Sequence, residues 1–161
     1  MAISVGDKVP DVEVKTLGAD GAPQTVKTGD VLGTGKVVLF AVPGAFTPGC
    51  SKIHLPGYVQ HGDEMKAKGV QTIACISVND PWVMQAWADA QGASGKIVML
   101  ADGNAEFTKA MGLTADMSGA GLGTRSQRYA AVIEDGVVTS LEVEPNPGVN
   151  VSACEAMLSK V

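Results

Sequence analysis

The run KVVLFAV (Lys36–Val42), followed at once by PGAFTPGC (Pro43–Cys50), decides the architecture. It is almost wholly apolar and β-branched, with no polar alternation. Such a run reads as a strand covered on both faces, as in a parallel sheet flanked by helices. Pro43-Gly44 ends the strand. Beyond it, Cys50 to Lys68 reads as helical, with a bend or break expected at Pro56-Gly57 because an internal proline removes a hydrogen bond. Strand, Pro/Gly-rich loop and helix thus form the first unit of the chain.

The same grammar continues toward the C-terminus. QTIACISV (Gln71–Val78) is a second buried strand. Asn79-Asp80-Pro81 supplies a cap and a first-turn proline for a helix running to about Gln91. KIVML (Lys96–Leu100) is a third strand, and Ala105 to Met111 a short helix with Asn104 as its cap and Gly112 as its stop. Tyr129–Glu134 and Val137–Glu142 pair around Asp135-Gly136, a strong hairpin signal. Ser152 to Leu158 closes the chain as a helix, Ser152 and Glu155 having capping-box spacing. Alternation of this kind implies an α/β fold. The hairpin requires an antiparallel pair, so the central sheet is mixed, and a thioredoxin-like sheet flanked by helices fits the order. No linker, repeat or low-complexity stretch divides the chain, and residues 1–161 are expected to form one domain. Trp82, Met84, Trp87 and Phe107 read as core or interface residues. The Gly119-x-Gly121-x-Gly123 stretch lacks the strand-to-helix setting of a nucleotide loop and reads as a turn.

Composition narrows the function. The formal charge is −5 and the pI about 4.9. Nucleic-acid affinity rests on clustered Lys and Arg, and the pairs Lys66/Lys68 and Arg125/Arg128 make no basic stripe. No apolar run approaches the ~18 residues of a membrane-crossing helix. Met1 to Pro10 has no basic stretch followed by an apolar block, so no secretory signal is expected. The three cysteines, Cys50, Cys75 and Cys154, are too few and too odd for a disulfide framework, and fit a reducing compartment such as the cytoplasm. There is no C-x-x-C pair, which removes the simplest zinc-site and dithiol-oxidoreductase readings. His54 and His61 have no cysteine at metal-ligand spacing, and no metal is expected.

Chemistry concentrates at Cys50. It stands near the first turn of a helix, beyond the carboxyl end of a buried strand, where α/β sheets bind ligands. Unpaired N–H groups and the helix dipole favour an anion there, and so favour the thiolate, the nucleophilic form. Thr47, three residues earlier, can set its hydroxyl beside the sulfur, and the N–H groups of Gly49 and Cys50 could face the same point. Pro43 and Pro48 stiffen the loop. An arginine from another element would add fixed positive charge, with Arg128 and Arg125 the candidates. The loop setting of Cys50 argues against burial. His54, one helical turn past Cys50, reads first as a structural hydrogen-bonding residue. Cys75 and Cys154 read first as small core residues.

These residues carry a resemblance. Pro43, Thr47 and Cys50 have the P-x-x-x-T-x-x-C spacing of peroxiredoxins, and PGAFTPGCSKIHLPG (43–57) is similar to their type II, or peroxiredoxin-5-like, subfamily. VGDKVP (5–10), CISVNDP (75–81) with Ala86-Trp87, GLGTRSQRY (121–129) and Val143-Glu144-Pro145 resemble further segments of that subfamily in the same order. The resemblance implies a thioredoxin fold, homodimers, and a thiol-dependent peroxidase of hydrogen peroxide and alkyl hydroperoxides that uses no cofactor and serves antioxidant defence. It implies that Cys50 attacks the peroxide, that Thr47 and Arg128 bind peroxide and thiolate, and that Pro43 shields the sulfur. Attack leaves a sulfenic acid, which a thiol must resolve. An external thiol, glutathione with glutaredoxin or else thioredoxin, is preferred. Cys75 comes second, reaching Cys50 only if the first helix unwinds, and Cys154 third. A thiol–disulfide oxidoreductase and a redox relay to a partner protein are the competing functions.

Overall fold

The computed structural model describes residues 1–161. Its strands are β1 (Glu13–Leu17), β2 (Pro23–Lys27), β3 (Lys36–Ala41), β4 (Val70–Ser77), β5 (Val98–Ala101), β6 (Thr114–Asp116), β7 (Thr124–Ser126), β8 (Tyr129–Glu134) and β9 (Val137–Val143). Its helices are α1 (Thr28–Leu32), α2 (Leu55–Ala67), α3 (Pro81–Gln91), α4 (Glu106–Met111) and α5 (Cys154–Leu158). Seven strands form one mixed sheet in the order β2-β1-β5-β4-β3-β8-β9, and β6 pairs with β7 apart from it. β3, β4 and β5 are parallel, whereas β8 lies antiparallel to β3.

β3 is covered on both faces, as its composition requires. Val38, Phe40 and Val42 pack beneath α2, α3 and α5 with Tyr58, Met65, Trp87 and Met157. Val37, Leu39 and Ala41 face the other way, toward Leu32 of α1 and Phe107 and Met111 of α4. The period-2 alternation of a strand therefore splits one apolar run between two cores. The β8–β9 hairpin forms at Asp135-Gly136, whose φ angles of 48° and 83° match the two positive values of a type I′ turn.

Several expectations shift. The helix after Cys50 does not break at Pro56-Gly57. Pro56 sits in the first turn of α2, and the irregularity lies one turn earlier, as a π-helical turn over Cys50–His54 in which the Leu55 N–H donates to the Cys50 carbonyl. A wider turn ahead of the proline relieves the clash its ring makes with a carbonyl four residues back. The third strand is Val98–Ala101 rather than 96–100. Asn104 does not cap α4. Buried Asp102 does so, accepting from Phe107 N–H (3.1 Å) and Thr108 N–H (2.9 Å), while Ala105 takes the cap position at φ 58°. α5 begins at Cys154, not Ser152, because the Ser152 hydroxyl is engaged by Glu144. β1, β2, α1, β6 and β7 are elements the sequence reading did not name.

Candidate active site

The site forms at the corner where β3 ends, β8 begins and β9 ends. Because β8 runs antiparallel to β3, with Ala41 opposite Tyr129, its first residue is delivered to the loop that follows β3. Arg128, one residue before β8, therefore reaches residues 43–50. The Ser51 N–H donates to the Thr47 carbonyl (2.9 Å), so Thr47 opens the helical segment and Pro48 stands in its first turn, where a missing N–H costs nothing. The loop is tied from outside by Asn79, whose Oδ1 accepts from the Ala45 N–H (3.0 Å) and the Ser77 hydroxyl (2.6 Å). Asp80, not Asn79, caps α3, accepting from the Val83 N–H at 2.8 Å.

Three side chains meet at the sulfur. Thr47 Oγ1 lies 3.0 Å from Cys50 Sγ and 2.6 Å from the Gly44 carbonyl. With one hydrogen it donates to one of these at a time. Arg128 Nη2 lies 3.1 Å from Sγ, and its Nη1 donates to His54 Nδ1 at 2.9 Å. The guanidinium fork is thus held at two points, a geometry a lysine cannot reproduce. Cys50 is fully buried, against the expectation from its loop. The π-turn carries its side chain into the core beside Phe40 and Tyr58, and Arg128 closes over it. Arg125 stays away from the sulfur; its Nε donates to the Leu122 carbonyl (2.9 Å) and its Nη1 to the Pro43 carbonyl (3.4 Å). Pro43 and Arg128 both line a cleft of about 410 Å³ whose far wall is Pro145–Gly148.

His54 makes the structural hydrogen bonds expected of it, and it makes them at the site. Its i+4 spacing from Cys50 was visible, but its partners lie 74 and 98 residues away. Nε2 donates to the Ser152 carbonyl (3.0 Å), which also accepts the Tyr58 hydroxyl (2.8 Å). Nδ1 is left as the acceptor for Arg128. Burial, with the Arg128 charge second, lowers the imidazole from its ordinary 6.5 to about 3, so it is neutral at physiological pH. Between those values the unfolded chain binds a proton that the folded chain does not. Stability is therefore fully present above pH 6.5 and falls by about 1.4 kcal/mol per pH unit below it. The effect should stand alone down to about pH 4.5, the ordinary value of Glu144, whose own carboxyl is held lower by Ser152 and neighbouring N–H groups despite burial pushing it up. Urea midpoints of wild type and His54→Gln at pH 7, 6 and 5 should converge as pH falls; parallel curves would exclude a neutral buried His54.

Cys75 lies on β4 opposite Phe40, in the same core as Cys50. Burial, and then the neighbouring Cys50, push its thiol well above the ordinary range. Cys154 opens α5 against Gly57 of α2, and burial pushes it up to about 12. All three cysteines are free.

Comparison with known proteins gives the family. The family model described as Redoxin matches residues 4–158. Peroxiredoxin-2E-2, chloroplastic, of Oryza sativa subsp. japonica is 47% identical over 97% of this chain and 71% of its own length. The crystal structure of reduced Prx3 in complex with hydrogen peroxide from Vibrio vulnificus is 49% identical, with a TM-score of 0.93 and 98% of each chain covered. Peroxiredoxin 5 from Alvinella pompejana is 40% identical, with a TM-score of 0.85, covering 98% of this chain and 96% of that one. The chain belongs to the redoxin family and, within it, to the type II, peroxiredoxin-5-like, peroxiredoxins. Its thioredoxin-like fold carries a thiol-dependent peroxidase. The chain has no helix long and apolar enough to cross a membrane.

Gly49 makes the guanidinium's approach possible. Its φ and ψ of −64° and −37° are helical and suit any residue, but a Cβ there would stand 3.2 Å from Arg128 Nη2. Gly49→Ala is expected to leave stability equal or raise it by up to about 1 kcal/mol, since alanine is the better helix former. Peroxide reactivity should nevertheless fall roughly tenfold, because an arginine displaced by a fraction of an ångström is misaimed. A thermal melt and a peroxide-oxidation rate measured on the same preparation check both halves.

Proposed function

We propose that Cys50 is the peroxidatic cysteine and that the whole chain, residues 1–161, acts as one catalytic domain on hydrogen peroxide and small alkyl hydroperoxides. The observation that carries this is the convergence of Thr47 Oγ1 at 3.0 Å and Arg128 Nη2 at 3.1 Å on one sulfur. The guanidinium stands against the sulfur, where charge develops on the departing oxygen. Thr47, its hydroxyl on the Gly44 carbonyl, turns lone pairs toward an incoming hydroperoxide proton. The Cys50 thiolate attacks one peroxide oxygen and the O–O bond breaks. The sulfur becomes a sulfenic acid, and the other oxygen leaves as hydroxide or alkoxide and takes a proton. Pro43 walls the cleft beside Arg128 and limits water at the sulfur. The relative from Vibrio vulnificus, whose structure contains hydrogen peroxide, supports the choice of substrate.

An external thiol resolves the sulfenic acid. The high proton affinities of Cys75 and Cys154, both buried, support this, since neither supplies a thiolate without opening of the core. Glutathione with glutaredoxin is the favoured reductant, with thioredoxin the alternative, and the setting is the cytoplasm or an organelle such as the chloroplast named for its rice relative. A homodimer is supported by Phe46, Ile53 and Trp82, large apolar side chains 54–56% exposed around the Cys50 loop. Phe46 holds a φ of 64°, a strained value that sends its ring outward.

The test is a single turnover with one equivalent of hydrogen peroxide, then excess glutathione, followed by intact mass after each addition, in wild type, Cys75→Ala and Cys154→Ala. An added oxygen on Cys50, converted to a glutathione adduct in all three proteins, is expected. An internal disulfide lost in one variant would name that cysteine as the resolving thiol. Oxidation no faster than that of a free thiol would sink the peroxidase assignment of Cys50.

A further inference from the structure

Glu144, one residue beyond β9, spends its carboxylate on a turn. Oε2 accepts the N–H groups of Asn150 and Ser152, each at 2.8 Å, and the Ser152 hydroxyl at 2.6 Å. Oε1 is buried without a hydrogen-bond partner. Three donors on one oxygen fix the turn that carries Ser152. The turn has a second function in view. The carbonyl of Ser152 takes the Nε2 proton of His54, the other face of His54 takes Arg128 Nη1, and Arg128 Nη2 meets the Cys50 sulfur. The Glu144 N–H also donates to the Arg128 carbonyl at 2.9 Å. Glu144 thus holds Arg128 from both ends, by main chain directly and by side chain through Ser152 and His54.

We infer that Glu144 is a positioning residue for the Arg128 guanidinium, acting through the Ser152 carbonyl and the His54 ring. The inference rests on the proposed role of Arg128 at Cys50. The physical step is the anchoring of the ring. A neutral imidazole has one donor and one acceptor. Arg128 takes the Nδ1 lone pair, and the Ser152 carbonyl takes the Nε2 hydrogen and fixes the plane of the ring. If the turn relaxes and the carbonyl swings away, Nε2–H loses its partner and the ring is free to turn. The Nδ1 lone pair then leaves the line of Arg128 Nη1, and the fork drifts off the sulfur.

The experiment compares two reactions of Cys50 in wild type, Glu144→Ala, Glu144→Gln and Arg128→Met: oxidation by hydrogen peroxide and alkylation by iodoacetamide, each as a second-order rate constant at pH 7. Peroxide cleavage needs the aimed guanidinium at the departing oxygen, whereas alkylation needs only the thiolate. Glu144→Ala is expected to lower the peroxide-to-alkylation ratio roughly tenfold or more. Glu144→Gln keeps an acceptor for the three donors and should restore the ratio to within about threefold of wild type, an expectation from the acceptor geometry. Val138→Ala, a core truncation on the opposite sheet face, should lower the thermal midpoint without moving the ratio. Should Glu144→Ala not fold, Glu144→Asp, which draws the carboxylate back by one methylene, takes its place. A ratio unchanged in Glu144→Ala or Glu144→Asp, with only the midpoint lowered, overturns the inference, as does a Glu144→Gln ratio no better than the alanine's. A ratio unchanged in Arg128→Met overturns instead the role of Arg128 on which it rests.

Discussion

Cys50→Ser is expected to abolish peroxide consumption, a loss at least on the order of 10⁴-fold, while leaving the fold intact. Removing a nucleophile that has no substitute costs that much or more. The substitution is nearly isosteric, and Thr47 and Arg128 keep a hydrogen-bonding atom to face. A serine hydroxyl is not ionised at neutral pH even beside a guanidinium, and its oxygen has neither the polarisability nor the redox chemistry of sulfur. Cys75 and Cys154 cannot take over, being buried thiols with raised proton affinity. Peroxide loss in a thiol-coupled assay, with circular dichroism as the control on folding, checks the expectation. Residual turnover above about one-hundredth of wild type would transfer the role to another cysteine.

Arg128→Met should lower the rate constant with hydrogen peroxide by roughly 10²- to 10³-fold, the usual cost of losing one donor aimed at developing negative charge. Methionine fills much of the same volume, so the loss is electrostatic rather than a cavity. Arg128→Lys should recover little of it. One ammonium cannot both meet Sγ at 3.1 Å and donate to His54 Nδ1 at 2.9 Å along the parallel directions of a planar fork. Stopped-flow rates for wild type, methionine and lysine variants settle the order. A lysine variant within threefold of wild type would mean that charge alone, without the fork, is what the sulfur needs.

What the sequence disclosed followed the range of the interactions. The covered strand, the two further parallel strands and the Asp135-Gly136 hairpin are written in local composition, and each forms within about two residues of the expected bounds. Thr47 and Cys50 share one helical turn, so their spacing alone brings hydroxyl and sulfur together. Arg128 is 78 residues from Cys50, and only family resemblance could link the two. β1 (EVKTL) and the edge strand β2 (PQTVK) are largely polar, with no apolar alternation to mark them. The caps failed for a related reason. Asp102 outcompetes Asn104 because it is buried and reaches two amides, and Ser152 is taken by a glutamate eight residues before it. The burial of Cys50 was misjudged because a π-turn redirects a side chain in a way that helical periodicity does not encode.

That turn also gives the protein an internal optical signal. Trp87 of α3 is fully buried, and its indole N–H donates to the hydroxyl of Ser51, the residue after Cys50, at 2.9 Å. Trp82, the other tryptophan, is 55% exposed and has no bond to the Cys50 turn. A rearrangement of Cys50–His54 that moves the Ser51 side chain changes the hydrogen bond to the buried indole. Emission from Trp87 is therefore expected to report, without a label, any movement of Ser51 beside the sulfur, and Trp82→Phe would leave it as the single indole signal.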